Sequence, residues 1–286
     1  MRQQRLVEDA ISQDVSAIVL VASDSNLAAG SLNAAATANV PVVLYDHDAI
    51  GGKADAHVVF DSLSVGQQQG KRAADLIAGM DKDVVRVGLV KGQQGEYGTA
   101  QYEKGQREFL DPLIKEGKVD VVCEQYTQNW DPVLAQNFAE DCLTRTGGGV
   151  DMFITMNDGC AGGVIAALVS QGYQPGQIVV TGGQKADVEA IRYIVEGWLD
   201  NTILKDLRLQ ANSAADVVSS IIAGHGVPPG MVNGKVNNGF MDVPAVFLPV
   251  SNITSENVEE VVTAGIWTWN QICEGVTSAP ACQAKH

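Results

Sequence analysis

The chain has 286 residues, 45% of them hydrophobic and 19% charged, with a formal net charge of −15. That length suggests about two domains, and the apolar content excludes a largely disordered chain. The acidic balance, with no Lys/Arg cluster to offset it, excludes nucleic acid as a partner and suits a neutral ligand.

In chain order, the first five residues lead directly into an amphipathic helical stretch at 3–13, with no apolar signal-peptide core. No apolar run approaches the ~18 residues of a membrane span. Short, unalternating apolar runs then occupy residues 17–23, 40–46, 57–61, 85–92, 119–123, 151–156 and 177–182. Such runs are the pattern of strands buried on both faces. Helical stretches separate them at 27–39, 63–80, 97–115, 132–145, 161–171 and 186–198. Asp131-Pro132 is a helix-start signal for the fifth of these. The alternation predicts βαβ units, hence an α/β fold of parallel sheets flanked by helices. Beyond it come a strand-like run at 201–206, a long helix at 207–223 and a Gly/Pro/Asn-rich segment at 224–239. An apolar run at 245–250 and a last helix over 255–264, capped by Thr254 or Ser255, complete the pattern. An α/β domain ordinarily opens on a strand. The opening helix therefore predicts that Met1 is internal to a longer parent chain, with about one βαβ unit preceding it.

Cys123 and Cys142 lie 19 residues apart, and Cys273 and Cys282 lie 9 apart. Two disulfides among these four, with Cys160 free, fit an exported protein. Five independent thiols are the alternative that spacing leaves open. No CxxC or paired Cys/His spacing offers a metal site.

Open α/β sheets bind ligands beyond the carboxyl ends of their strands. The residues at those ends are Asp46-His47-Asp48, the stretch from Gly92 to Glu96-Tyr97, Gln128-Asn129-Trp130-Asp131, Asn157-Asp158, Gly182-Gly183-Gln184-Lys185 and Lys205-Asp206. Carboxylates, amides and an indole are the chemistry of sugar recognition: hydroxyls donate to Asp and accept from Asn and Lys. An aromatic face covers the apolar face of the ring. No P-loop is present and no GxGxxG follows a strand, so no nucleotide cofactor is expected. Gly147-Gly148-Gly149 reads as a helix stop. Asn157 is expected to bind sugar while Asp158 caps the following helix, and Asp206 is expected to hold Lys205.

At these residues the sequence resembles the ribose/xylose-type periplasmic sugar-binding proteins of ABC transporters, in their xylose-binding and multiple-sugar-binding branches. The matching motifs occur in family order. They are Val43-Leu44-Tyr45-Asp46, Val59-Phe60-Asp61 with Val65-Gly66, Trp130-Asp131-Pro132 with Ala135-Gln136, and Asn157-Asp158 with Ala161-Gly162-Gly163. Gly183-Gln184 with Ala186-Asp187, Thr202-Ile203-Leu204-Lys205-Asp206 and Val243-Pro244-Ala245 follow. The resemblance implies a two-lobed type I periplasmic-binding-protein fold with three hinge crossings, near Asp61, near residues 202–206 and near 243–250. One lobe would hold residues 1–60 with 206–244, lacking its first strand and helix. The other would hold 61–205 with 245–286. It also implies a non-enzymatic, monomeric protein that closes on a monosaccharide between the lobes and delivers it to ABC permease subunits. Its expected place is the periplasm or the cell exterior, with lipid anchoring through an upstream signal segment as an option.

The sugar-binding set implied for this chain is Asp46, His47, Glu96, Tyr97, Trp130, Asn157, Gln184, Lys185 and Lys205. His47 stands where the family usually has Arg, Glu96-Tyr97-Gly98 replace an Asp-Asn-Asn loop, and Lys185 replaces an Asp. These departures bear on which sugar is taken and leave room for an acidic one. Two other readings share parts of the pattern. A LacI-type sugar-sensing regulator domain has this fold but needs a helix-turn-helix upstream. A glycosidase needs two carboxylates facing one bond, for which Asp46 with Asp158 or Glu96 could be paired.

Overall fold

The computed structural model describes residues 2–276 and 279–284. Met1, on which the expectation about the start of the chain turns, lies outside the described residues. The chain divides into two compact units, Met1–Asp61 with Asp206–Pro249 and Ser62–Lys205 with Val250–His286.

The first unit opens with α1 (Arg2–Ser12), β1 (Ile18–Leu20), α2 (Ala29–Thr37), β2 (Val42–Tyr45) and β3 (Ala56–Phe60). The second carries α3 (Ser62–Gly79), β4 (Val85–Lys91), α4 (Tyr97–Lys115) and β5 (Val119–Tyr126). A 3-10 turn at Gln128–Trp130 leads to α5 (Pro132–Thr146), β6 (Met152–Thr155), α6 (Asp158–Ser170) and β7 (Val179–Thr181). β8 (Gly183–Lys185), α7 (Val188–Glu196) and β9 (Asn201–Leu204) follow. The chain then returns to the first unit for α8 (Leu207–Ile222), β10 (Gly234–Asn237) and β11 (Asp242–Leu248). It ends in the second with β12 (Ser251–Thr254), α9 (Glu259–Thr263), α10 (Trp269–Ile272) and α11 (Pro280–Gln283).

The sheet of the first unit has the order β1-β2-β3-β11-β10, parallel except that β10 runs antiparallel to β11. The Val/Phe-rich β3 is buried along its whole length, as a central parallel strand must be. Leu20, Leu32, Val42, Leu44 and Val243 form this unit's core. The second unit has a parallel sheet, β5-β4-β6-β7, and a smaller one, β12-β9-β8, in which only β12 is antiparallel. Its core includes Phe138, Leu143, Phe153, Ile165, Leu168 and Ile191.

Each predicted strand and helix up to residue 223 has a counterpart, but β8, β10, β12, α10 and α11 are not predicted, one boundary shifts and one helix starts late. β8 escapes a pattern search because two glycines and two polar residues surround and fill it. β10 lies in the Gly/Pro/Asn-rich segment, where composition points to a loop. The proposed lobe boundary at 244 falls inside β11, which pairs with β3, so the first unit extends to Pro249. The helix expected over 255–264 starts at Glu259, not 255. Asn257 Oδ1 accepts from the Thr254 backbone N–H at 2.7 Å, closing a turn where helix was expected.

Cys123 on β5 is bonded to Cys142 on α5, and Cys273 to Cys282, while Cys160 is free and buried. Among the described residues, no helix is long and apolar enough to cross a membrane.

α3 and α4 pack closely because glycines face each other across them. A Cβ at Gly70 would lie 2.7 Å from the Gln106 Cα, and one at Gly105 would lie 2.6 Å from the Leu63 carbonyl oxygen. That close approach presses Gln69 and Tyr102 toward the sheet edge.

Candidate functional site

The four parallel strands of the second unit bring the ends of β4, β5, β6 and β7 to one edge. Gly92 follows β4, and the Trp130 ring lies directly over it, in the space a Cβ would need. Only glycine fits there. Asn129 and Trp130 are both left-handed, with φ of 54° and 57°. The Asn129 backbone N–H donates to Gln93 Oε1, tying this turn to the loop after β4. Trp130 Nε1 donates to Glu96 Oε2 at 2.9 Å. Glu96 precedes α4 without capping it, and Tyr97, the first residue of that helix, is 44% exposed.

Tyr102 connects these residues to Lys205. Its ring meets Trp130 edge to face, with centroids 6.3 Å apart. Lys205 Nζ donates to the Tyr102 hydroxyl at 2.7 Å and lies 5.2 Å from the ring centroid. The structure thus brings Glu96, Trp130 and Lys205 into one chain of contacts through a residue that sequence reading missed. The available signal was its place on the buried stripe Thr99, Tyr102, Gln106 and Leu110 of a helix that starts at the ligand edge.

Asp206 is engaged by the helix that follows it. It sits at the N-terminus of α8, accepts from the Arg208 and Leu209 backbone N–H groups, and pairs with Arg208 at 3.1 Å. Those contacts hold its carboxyl below the usual range.

The expected roles of Asn157 and Asp158 are exchanged at the cap. Asn157 is the N-cap of α6, with Oδ1 accepting from the Cys160 N–H at 2.7 Å. Its Nδ2 hydrogens take no part in that cap. Asp158 is turned inward, 6% exposed, and accepts from the Thr202 hydroxyl at 2.6 Å and the Asp187 N–H at 2.9 Å. Desolvation pushes its carboxyl up to about 7, against the pull of these two donors.

Gln184 on β8 is 5% exposed, and its Oε1 has no hydrogen-bond partner. A buried acceptor left unmatched is rare in a folded protein. Lys185, the next residue, is exposed with φ of 108°. β7 and β8 join at Gly182, whose φ of 95° demands glycine. Gln69 of α3 bolts this junction by donating to the Gly182 and Gly183 carbonyls.

In the first unit, Asp46 and His47 follow β2. Asp46 is left-handed, with φ of 62°. His47 Nδ1 donates to the Ala22 carbonyl at 2.9 Å, and its Nε2 lies 3.7 Å from Asp46 Oδ2, both side chains being substantially exposed. Beneath them, His57 is fully buried. Its Nε2 donates to the Asp46 carbonyl at 3.2 Å, and its Nδ1 lies 3.3 Å from Asp48 Oδ1. Burial lowers the His57 imidazole to about 4 and raises the Asp48 carboxyl to about 6. Below about pH 6, a proton on Asp48 can be directed at the His57 Nδ1 lone pair. Among the described residues, no group of three or more His, Cys, Asp or Glu could hold a metal ion.

The chain is 29% identical over 256 residues to the D-xylose-binding periplasmic protein of Haemophilus influenzae, covering 90% of this chain and 74% of that one. It is 26% identical over 272 residues to a multiple sugar-binding periplasmic receptor of Rhizobium radiobacter, covering 91% and 76%. A crystal structure of an ABC transporter solute-binding protein from Clostridium phytofermentans with bound β-D-glucose shares the fold, with a TM-score of 0.84 at 23% identity, over 94% of this chain and 86% of that one. The model of the periplasmic binding protein domain matches residues 1–226, and the chain belongs to that family of substrate-binding proteins.

Proposed function

We propose that the chain binds a monosaccharide, a xylose-like pentose or a hexose, and hands it to the permease of an ABC-type uptake system. The observation that carries this reading is the carboxyl edge of the second unit. Trp130 is linked through Tyr102 to Lys205, Asn157 follows β6, and the unpartnered Gln184 Oε1 lies on β8 of the smaller sheet. A sugar hydroxyl donating to Gln184 would satisfy the buried acceptor, and Trp130 would cover the ring's apolar face. Glu96 keeps the indole oriented, and Tyr97 and Lys185 contribute polar contacts at the rim. Asp46 and His47, following β2 in the first unit, are also proposed as sugar-binding residues. The relatives' sugar-binding and periplasmic descriptions support the reading. The protein acts as a monomer in the periplasm or at the cell exterior, and the two disulfides suit such an oxidising compartment.

A thermal-shift screen against pentoses, hexoses and uronic acids tests the proposal. A sugar present at 100 times its Kd should stabilise the protein by about 2.7 kcal/mol. A flat response across the whole panel at millimolar sugar would refute it.

A further inference from the structure

The turn after β8 is strained and tightly held. Lys185 and Ala186 have φ of 108° and 58°, a region that costs a non-glycine residue on the order of 1–3 kcal/mol. Glycine stands at 182 and 183, so this segment uses glycine where nothing else is needed. At 185 a long side chain is kept in spite of the strain.

Three side chains from three elements hold the turn. Ala186 N–H donates to Thr202 Oγ1 at 3.3 Å, and the Ala186 carbonyl accepts from Trp267 Nε1 at 2.8 Å. Asp187 N–H donates to Asp158 Oδ2 at 2.9 Å, while Thr202 donates to Asp158 Oδ1 at 2.6 Å. Asp158 fits against the strand because residue 183 has no Cβ, which would fall on Oδ1. The Asp158 oxygens and the Thr202 hydroxyl are engaged in these bonds, so both side chains act on the turn.

We propose that Asp158, Thr202 and Trp267 are positioning residues for sugar recognition. They fix the Lys185-Ala186 turn and, through it, the Gln184 amide and Lys185 ammonium offered to the ligand. The proposal rests on the sugar-binding reading above. Without the clamp the turn would relax toward ordinary backbone, rotating both side chains while leaving the core strands in place.

The test uses the full chain, Thr202→Val and Thr202→Ser, and the same two changes on a Gln184→Ala/Lys185→Ala background. Calorimetry reads affinity for the tightest-binding sugar of the panel. Loss of one buried hydroxyl link should weaken binding roughly tenfold in Thr202→Val, and Thr202→Ser should restore it. On the double-alanine background Thr202→Val should cost little more, because the groups it positions are gone. Wild-type affinity in Thr202→Val, or the full tenfold loss persisting on the double-alanine background, would overturn the proposal while leaving sugar binding intact. If Thr202→Val does not fold, Trp267→Phe, which removes the indole N–H together with part of the ring system, is judged by the same criteria. A wild-type chain that binds no sugar of the panel would instead refute the sugar-binding reading, and the clamp with it.

Discussion

Gln69 joins the fold to the site more directly than any other residue outside it. It is fully buried on α3. Its Nε2 donates to the Gly182 carbonyl and, at 3.2 Å, to that of Gly183, while its Oε1 accepts from Gln106 Nε2 at 2.9 Å. Gln69→Leu keeps the volume and deletes every one of these bonds. It orphans the Gly182 carbonyl and one Gln106 hydrogen inside the protein. Two orphaned buried groups cost about 4 kcal/mol, and the added apolar surface returns about 1 kcal/mol. A net loss of about 3 kcal/mol should appear in urea unfolding as a lower midpoint with unchanged slope. Sugar affinity should fall as well, since Gly182 sets the direction of β8. A Gln69→Leu protein within about 0.5 kcal/mol of wild type would refute this reasoning.

Other outcomes follow from the same geometry. Gly92→Ala should drive Trp130 off its seat and weaken sugar binding at least tenfold, with a change in tryptophan fluorescence; unchanged emission and affinity would contradict the contact. Asn157→Asp keeps the cap acceptor for Cys160 but removes the Nδ2 donor, so sugar binding should weaken by about 1–3 kcal/mol while the melting temperature holds. Removing the Cys123–Cys142 bond by a double Ala substitution frees a loop spanning 19 positions and should cost about 3 kcal/mol, read by thermal unfolding. The His57–Asp48 pair predicts a pH response of definite sign. The lowered His57 contributes stability present above its ordinary 6.5 and lost as pH falls toward about 4. The raised Asp48 contributes stability present below its ordinary 3.8 and lost as pH rises through about 6, so between pH 4 and 6 the two slopes oppose. Asp48→Asn should remove one slope, and melting curves of that variant should fall more steeply on acidification than those of wild type.

Much of this was legible in sequence because buried parallel strands announce themselves as apolar runs, and ligand positions follow from where those runs end. Trp130, Asn157, Gln184 and Lys205 are proposed as ligands on that ground, and the glycine stop after α5 is present, with Gly147 left-handed at φ of 61°. What escaped was side-chain direction. A cap and an inward carboxylate are both Asn or Asp after a strand, and Asn157 and Asp158 are told apart only by which one meets the Cys160 N–H. Tyr102 and Gln69 were hidden for a different reason: their polar ends matter through contacts across α3 and α4, at separations that no local pattern encodes. Asp206 differs: its pairing with Arg208 is local and follows from its place at a helix start.

Calorimetric titration of D-xylose and D-glucose into the chain tests the central claim most directly. The account predicts saturable binding of one sugar per chain, weakened at least tenfold by Gln184→Ala with little change in the unliganded melting temperature. Absence of saturable heat for both sugars and for the rest of the panel, or full affinity in Gln184→Ala, would contradict it.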